Sequence, residues 1–283
     1  MKPSWLEVVC PGEWDIHTVE EKGQLIGVLP VRVRNKWGFH IATTPYLTPH
    51  SGPWHRGPEA RIGLIRSLTD YDYSHLTLDD RQKDPLPWMP DFNLTLQPTF
   101  ILECATPEQV AVQMQKKLRQ QLRQAEGRFT RILLDPQRFT GLVEQSFRHQ
   151  QSTMPFTMDL LERVANYLER HRCGGLWGAV NEDGALITGA LYYEDQHTLY
   201  TVLSGQDYRL NPHLSHKWLH QELLKYGISK GKRIHFMGSK IPGIAYWNSY
   251  FGAEISNYYQ VKRIRNRIVR NVSRFVPASL ISR

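Results

Sequence analysis

Residues 184–237, GALITGALYYEDQHTLYTVLSGQDYRLNPHLSHKWLHQELLKYGISKGKRIHFM, decide the fold. Ala185 to Glu194 and Thr198 to Leu203 are apolar and aromatic runs that read as strands. Asp195-Gln196-His197 between them is short enough for a hairpin. A third strand, Gly175 to Asn181, precedes them across Glu182-Asp183-Gly184. The loop Ser204 to Leu214 leads into a helix from about Ser215 to Ser229, with Ser215 in the N-cap place. The strand Arg233 to Met237 closes the stretch.

Working outward, a helix (Gly243 to Phe251) and a strand (Ile255 to Val261) follow. Upstream lie the strand Phe129 to Leu134 and the helices Pro136 to Gln150 and Met158 to His171. Before these, Thr106 is a natural N-cap, with Pro107 at the first helical position and Gln109 in the capping-box place. Val110, Met114, Leu118 and Leu122 recur every four residues, so one helix is expected to run to about Glu126, with Gly127 as its stop. The resulting order is β-α-α-β-β-β-loop-α-β-α-β.

The first half echoes the middle of that order. Trp14 to Glu21 and Gln24 to Arg34 flank the turn signal Lys22-Gly23, and Leu25, Gly27, Leu29, Val31 and Val33 share one face. Trp37 to Thr44 reads as a third strand. The Pro/Gly-rich loop Pro45 to Pro58, a short helix (Glu59 to Leu68) and a strand (Tyr73 to Leu78) follow. Phe92 to Glu103 is a further strand, in which Pro98 requires a bulge or an edge. Two imperfect copies of one unit are expected, residues 1–105 and 106–262, with a tail at 263–283.

A chain of 283 residues that is 41% hydrophobic, with no low-complexity tract, is long enough for one large or two modest domains. No apolar run reaches the ~20 residues needed to cross a bilayer, and Met1 to Trp14 contains no apolar signal core, so a cytoplasmic protein is expected. Cys10, Cys104 and Cys173 are far apart and read as reduced structural thiols. The net charge of +8 favours anionic partners such as a CoA phosphate, a tRNA backbone or an acidic membrane. No helix-turn-helix, zinc or RRM signature points to DNA.

Several segments resemble the FemAB-like proteins, which join two acyl-transferring domains of the GNAT type. LPVRVRNKWGFHIATTPYLTPHSGPW (29–54) resembles their N-terminal strand pair and P-x-x-x-P-x-x-G-P loop, and KKLRQQLRQAE (116–126) their basic helix. The hairpin at 184–212 resembles their central hairpin, and YGISKGKRIHFMGSKIPGIAYWNSYFGAE (226–254) their glycine-rich finish. His235 replaces the usual Asp of that finish, and Ser239 its second glycine. The long coiled-coil arm of some tRNA-dependent members is absent. The resemblance implies an α/β fold with a mixed sheet. It implies two GNAT-like domains in tandem, the second more complete, here followed by a basic C-terminal helix. It also implies an N-acyltransferase that uses acyl-CoA as co-substrate, with no metal.

Acyl transfer to an amine needs a fixed carbonyl, donors for its oxyanion and a path for the amine proton. In the GNAT plan a splayed central strand and the following helix N-terminus hold the donor, its pyrophosphate on backbone N–H groups. The corresponding residues here are Arg209 and Asn211 in the loop and His213, Leu214 and Ser215 at the helix start. Asp207, His235 and Tyr246 are candidate bases or acceptor-orienting groups, as is Glu194. Lys117, Arg119 and Arg123 on the basic helix, with Ser239 and Lys240 in the finish, are expected to meet the acceptor. His216 and His220 have HExxH spacing, but Lys217 stands where that motif has its Glu, so they read as helix-surface residues. The tail alternates Ile264, Ile268, Val272 and Phe275 with arginines, a pattern suited to an anionic membrane surface or to a helix docked on the protein's own core.

These features support an acyl- or aminoacyltransferase acting on an amine of a cell-envelope, glycan or lipid-linked precursor. The alternatives are an aminoacyl-tRNA-dependent peptide-bridge enzyme of the same fold and a non-catalytic, membrane-associated binding module.

Overall fold

The computed structural model describes residues 2–36, 38–82, 84–103, 106–237 and 242–265. Cys104, Ser239, Lys240 and all but the first three residues of the expected tail lie outside that set. The elements in chain order are α1 (Pro3–Val9), β1 (Trp14–Glu21), β2 (Gln24–Lys36), β3 (Phe39–Thr43), β4 (Trp54–His55), α2 (Pro58–Arg66), β5 (Tyr73–Thr77) and β6 (Asn93–Leu102). Then come α3 (Pro107–Gln113), α4 (Lys116–Ala125), β7 (Thr130–Leu133), α5 (Pro136–His149), α6 (Met158–His171), β8 (Gly174–Val180), β9 (Leu186–Glu194) and β10 (Thr198–Gln206). Last are α7 (His213–Ser229), β11 (Arg233–His235), α8 (Pro242–Tyr250) and β12 (Glu254–Ile264).

The chain forms two units. The first holds residues up to Gln97 together with the chain from Asn257 onward, and the second holds Pro98–Ser256. The division falls within β6, at the residue before Pro98 and a few positions ahead of the 105/106 boundary expected from the sequence.

In the first unit β1, β2 and β3 are antiparallel neighbours, β5 runs parallel to β3, and β12 pairs antiparallel with β5 from Gln260 to Ile264. The β1–β2 hairpin turns on Lys22 and Gly23, both at positive φ. Leu29, Val31, Ala42, Leu64, Ile65, Leu76 and Val261 form its core. Gly27 and Val31 are buried on the expected face of β2, whereas Leu25, at the hairpin end, is exposed. α1 is not legible in the sequence because seven residues are too few to show a period. It buries Trp5, Leu6 and Val9, and the Trp5 indole N–H donates to Thr48 at 2.9 Å.

In the second unit β7, β8, β9 and β10 are antiparallel, β11 runs parallel to β10, and Ile101 and Leu102 of β6 pair antiparallel with β11. α3, α4, α7 and the end of α8 bury Val110, Met114, Leu118, Leu223 and Phe251 against Trp177, Ala190 and Leu199 of the strands. α5 covers the opposite face, where Phe139 and Leu142 meet Gly189. From β8 on, the second unit thus repeats the first: three antiparallel strands, a helix, a fourth strand parallel to the third, and one more strand antiparallel to the fourth. The last strand of each unit comes from sequence beyond the other strands of that unit.

The single helix expected over 106–126 is broken. Met114 and Gln115 are extended, with ψ 144° and 141°. The end of α8 inserts at this break. The Gln115 amide donates to the Tyr250 carbonyl at 2.9 Å, and Gly252 lies so close to Gln113 that a Cβ there would be 2.6 Å from the Gln113 Cβ. Arg119 closes the end of α3, its Nη1 donating to the carbonyls of Ala111, Val112 and Met114 at 3.2, 2.8 and 3.0 Å. Four-residue periodicity continues across the break because Met114 and Leu118 are both buried in the same core. Replacing Arg119 by alanine leaves those carbonyls to water and is expected to cost about 1–2 kcal/mol. Urea unfolding checks this: the midpoint falls at constant slope, and an unchanged midpoint would refute the capping role.

Candidate active site

β10 and β11 pair over three residues only, Thr198–Tyr200 against Arg233–His235. Beyond Tyr200, β10 continues to Gln206 on β9, with a register shift between Thr201 and Leu203. β11 stops at His235, and Met237 turns the chain away at φ +62°. The β11-facing side of Thr201–Gln206 therefore has no strand partner among the described residues. Backbone N–H and C=O groups exposed in this way are available to a ligand that resembles a strand.

α7 begins at the same end of β10. Its N-cap residue is Pro212, which supplies no side-chain cap, and the first helical hydrogen bond runs from the His216 amide to the Pro212 carbonyl at 2.9 Å. The amides of His213, Leu214 and Ser215 have no intrahelical acceptor, which suits the positive end of a 17-residue helix to an anion. Ser215 is not the N-cap: it is buried in the first turn, where its hydroxyl donates back to the Pro212 carbonyl at 2.9 Å. The helix starts two residues earlier than expected because Asn211 adopts the left-handed conformation and Pro212 is set for a helix entry.

Asp207 and Arg209 form a pair with each other. Arg209 donates its backbone N–H and Nε to Asp207 Oδ1 at 3.0 and 2.9 Å and its Nη2 to Oδ2 at 2.5 Å. These bonds from Arg209 outweigh the burial of Asp207 and hold its carboxyl below the usual range. Asp207 thus stands as a carboxylate that fixes the turn, while the Arg209 side chain stays 79% exposed. Asn211 and Leu214 line a cavity of about 360 Å³ with Arg128, Phe129 and Ile187.

His235 is buried with a settled tautomer. Its Nδ1 accepts the Met237 amide at 2.9 Å, which leaves Nε2 to carry the proton in the neutral ring, 3.4 Å from Thr99 Oγ1. Tyr246 is 60% exposed on α8, its ring 4.6 Å from that of Tyr250. Glu194 pairs with Lys230 at 2.9 Å and Lys232 at 3.4 Å. On α4, Lys117 and Arg123 are exposed, whereas Arg119 is committed to α3. The sequence-expected bases are thus not gathered in one place, while the residues expected to hold the donor lie together in the loop and first turn of α7.

Two histidines of α7 expected on its surface pack against β10 and α8. His216 Nε2 lies 3.1 Å from Ser204 Oγ on β10, and its ring stacks on Trp247 of α8 at 4.7 Å and 19°. His220 is buried, 7% exposed, and donates its Nδ1–H to the His216 carbonyl at 3.0 Å. Its ring meets Trp247 and Phe251. Both histidines are inward because α8 folds over the start of α7. One signal in the sequence is readable: His216 and His220 fall on the same helical stripe as Leu219, Leu223 and Leu224.

Residues 113–245 match the family model described as an acetyltransferase (GNAT) domain, so the protein is by class an N-acyltransferase. No curated protein sequence matches the chain. Among solved structures, FemX has a TM-score of 0.71 at 12% identity, with 97% of this chain and 93% of that one covered. L-PGS from Bacillus licheniformis has a TM-score of 0.58 at 11% identity, with 93% and 87% covered. The C-terminal domain named for lysylphosphatidylglycerol synthetase from Agrobacterium fabrum has a TM-score of 0.54 at 10% identity, with 93% and 88% covered. At these identities the likeness concerns the fold alone, and the family model adds that residues 113–245 form an acetyltransferase (GNAT) domain.

Proposed function

We propose that this protein transfers an acyl or aminoacyl group from a CoA-type thioester to an amine of a cell-envelope, glycan or lipid-linked precursor. The observation that carries this reading is the open side of β10 ending at the uncapped start of α7. A pantetheine chain fits such an edge because its amides pair like a strand, and the three free amides of α7 suit its pyrophosphate. Arg209, at the mouth of that turn, adds a cation, and Asn211 and Leu214 adjoin the same place. The thioester carbon then lies beside the divergence of β10 and β11, where the amine attacks. Lys117 and Arg123 are the exposed cations of α4 that would meet a phosphorylated acceptor, with Ser239 and Lys240 proposed as further acceptor contacts. The neighbour named for lysylphosphatidylglycerol synthetase supports a lipid-linked acceptor, reached from the cytoplasmic side of a membrane. Among the described residues no helix is long and apolar enough to cross one.

A thermal-shift titration with CoA, acetyl-CoA, longer acyl-CoAs and aminoacyl-tRNA tests this. A ligand specific to the folded state raises Tm with concentration, by about 2.7 kcal/mol of stabilisation at a hundred times its Kd. The expected result is a shift with a CoA species that weakens in Arg209→Ala. A shift with aminoacyl-tRNA alone would replace the CoA donor by a tRNA-borne one. No shift with any donor would leave a non-catalytic binding module as the better reading.

A further inference from the structure

We infer that Ser204 and His216 form the proton relay of the acyl transfer, Ser204 touching the amine and His216 acting through it. This rests on the acyltransferase reading above and goes beyond it by naming the path of the proton.

Three observations converge. Ser204 lies on the stretch of β10 that β11 leaves open, at the place proposed for the thioester. Its Oγ is 3.1 Å from His216 Nε2, and both residues keep part of their surface exposed. Trp247 stacks on the imidazole face and fixes the ring plane, which aims Nε2 at the hydroxyl. The groups facing His216 are Ser204 from β10, His213, Lys217 and His220 from α7, and Trp247 from α8. No carboxylate is among them. Burial first, then the charges of His220, His213 and Lys217, push the imidazole well below its ordinary value, so the ring is neutral near pH 7 and its unprotonated nitrogen carries a lone pair.

The lone pair of a neutral primary amine forms the C–N bond at the thioester carbonyl. As it does, an N–H proton passes to Ser204 Oγ, whose own proton passes to His216 Nε2. The carbonyl C–S bond breaks, the thiolate leaves, and the imidazolium returns the proton through Ser204, whose hydroxyl protonates the thiolate. The products are an amide and a free thiol, with the relay restored. The order requires the Ser204 O–H to donate to Nε2, and hence the Nδ1–H tautomer of His216.

Imidazole nitrogen NMR on the full chain reads that tautomer without turnover. The expected result is Nδ1–H for His216 at pH 7.5, with an Nε2 resonance that moves in Ser204→Ala. An Nε2–H tautomer overturns the relay. Turnover is then followed as thiol release from acetyl-CoA with a panel of primary amines between pH 6 and 9. His216→Gln is expected to lower kcat about 100-fold, within the usual range for a lost acid–base group, and to leave KM for acetyl-CoA within about 3-fold. Ser204→Ala and the double variant are expected to match it, because residues acting as a unit are not additive. Additive losses, or a rise in KM at constant kcat, would assign the pair to binding and overturn the proposal. A wild-type chain with neither a CoA-induced melting shift nor thiol release would overturn the acyltransferase reading. A melting shift with the wrong tautomer would overturn the relay alone.

Discussion

Gly205→Ala is expected to destabilise the second unit by about 3 kcal/mol, at the upper end of what an overpacked core methyl costs. A Cβ at this position would lie 2.5 Å from the Val143 amide nitrogen, 2.6 Å from the Leu142 carbonyl carbon and 2.7 Å from the Leu142 Cβ. Two of these neighbours are backbone, so no rotamer change relieves the contact. α5 must lift off β10, and with it goes the Ser146 hydroxyl that accepts the Gln206 amide at 2.8 Å. Gly141, one residue before Leu142 on the same helix, is the internal control, because a Cβ there meets nothing within 4 Å. Gly141→Ala is expected to add about 0.5–1 kcal/mol through helix propensity. Paired urea titrations check both, and similar midpoints for the two variants would contradict the packing described. Gly205 also lies on the open stretch of β10, so the alanine variant should lose any CoA-induced melting shift before it loses its fold.

The second large effect is acid lability above pH 4. Burial pushes the His220 imidazole down from 6.5 to about 4, against the weaker pull of its bond to the His216 carbonyl. Burial pushes His216 the same way. A histidine lowered in the fold binds its proton more readily when unfolded. Its stabilising contribution is therefore complete above pH 6.5 and is lost as pH falls toward 4. For His220 alone the loss is about 3 kcal/mol over that interval, because each tenfold weakening of proton affinity corresponds to about 1.4 kcal/mol. The Asp79 carboxyl does not contribute there. Burial would raise it, but the bonds from Arg81 and the charge of His50 bring it to about 2. Urea midpoints from pH 7.5 to 4 in the wild type and in His220→Phe separate the cause. The wild type is expected to weaken steeply and the variant less so; parallel curves would remove His220 from the explanation.

Much of the fold is readable from local pattern. The hairpin turns Lys22-Gly23 and Asp195-Gln196-His197 and the strand order through residues 174–206 follow from alternation and turn chemistry. So does the cap Thr106, whose hydroxyl accepts the Gln109 amide. What local pattern misses depends on distant partners. The break at Met114–Gln115 is made by Tyr250 and Gly252, more than a hundred residues away. The inward turn of His216 and His220 is made by Trp247. Asp207 and Arg209 each read singly as chemistry-bearing, whereas at i and i+2 in a tight turn they satisfy each other first. The position of the loop proposed for the donor is legible because it follows from strand order. The proton path is not, because Ser204 and His216 meet only through the fold.

The exchange of final strands has a consequence for how the chain is made. The first unit needs Gln260–Ile264 to flank β5, whereas the second takes its flank for β11 from Ile101 and Leu102, which are synthesised before the rest of it. Emerging from the ribosome, the amino-terminal unit holds β5 as a bare edge until nearly the whole described chain is out, while the carboxy-terminal unit has β6 through β11 by His235. Vectorial synthesis therefore reverses the usual order: the half made first is the half completed last. A nascent chain stalled before residue 260 presents an unpaired strand to whatever chaperone or neighbouring polysome is at hand.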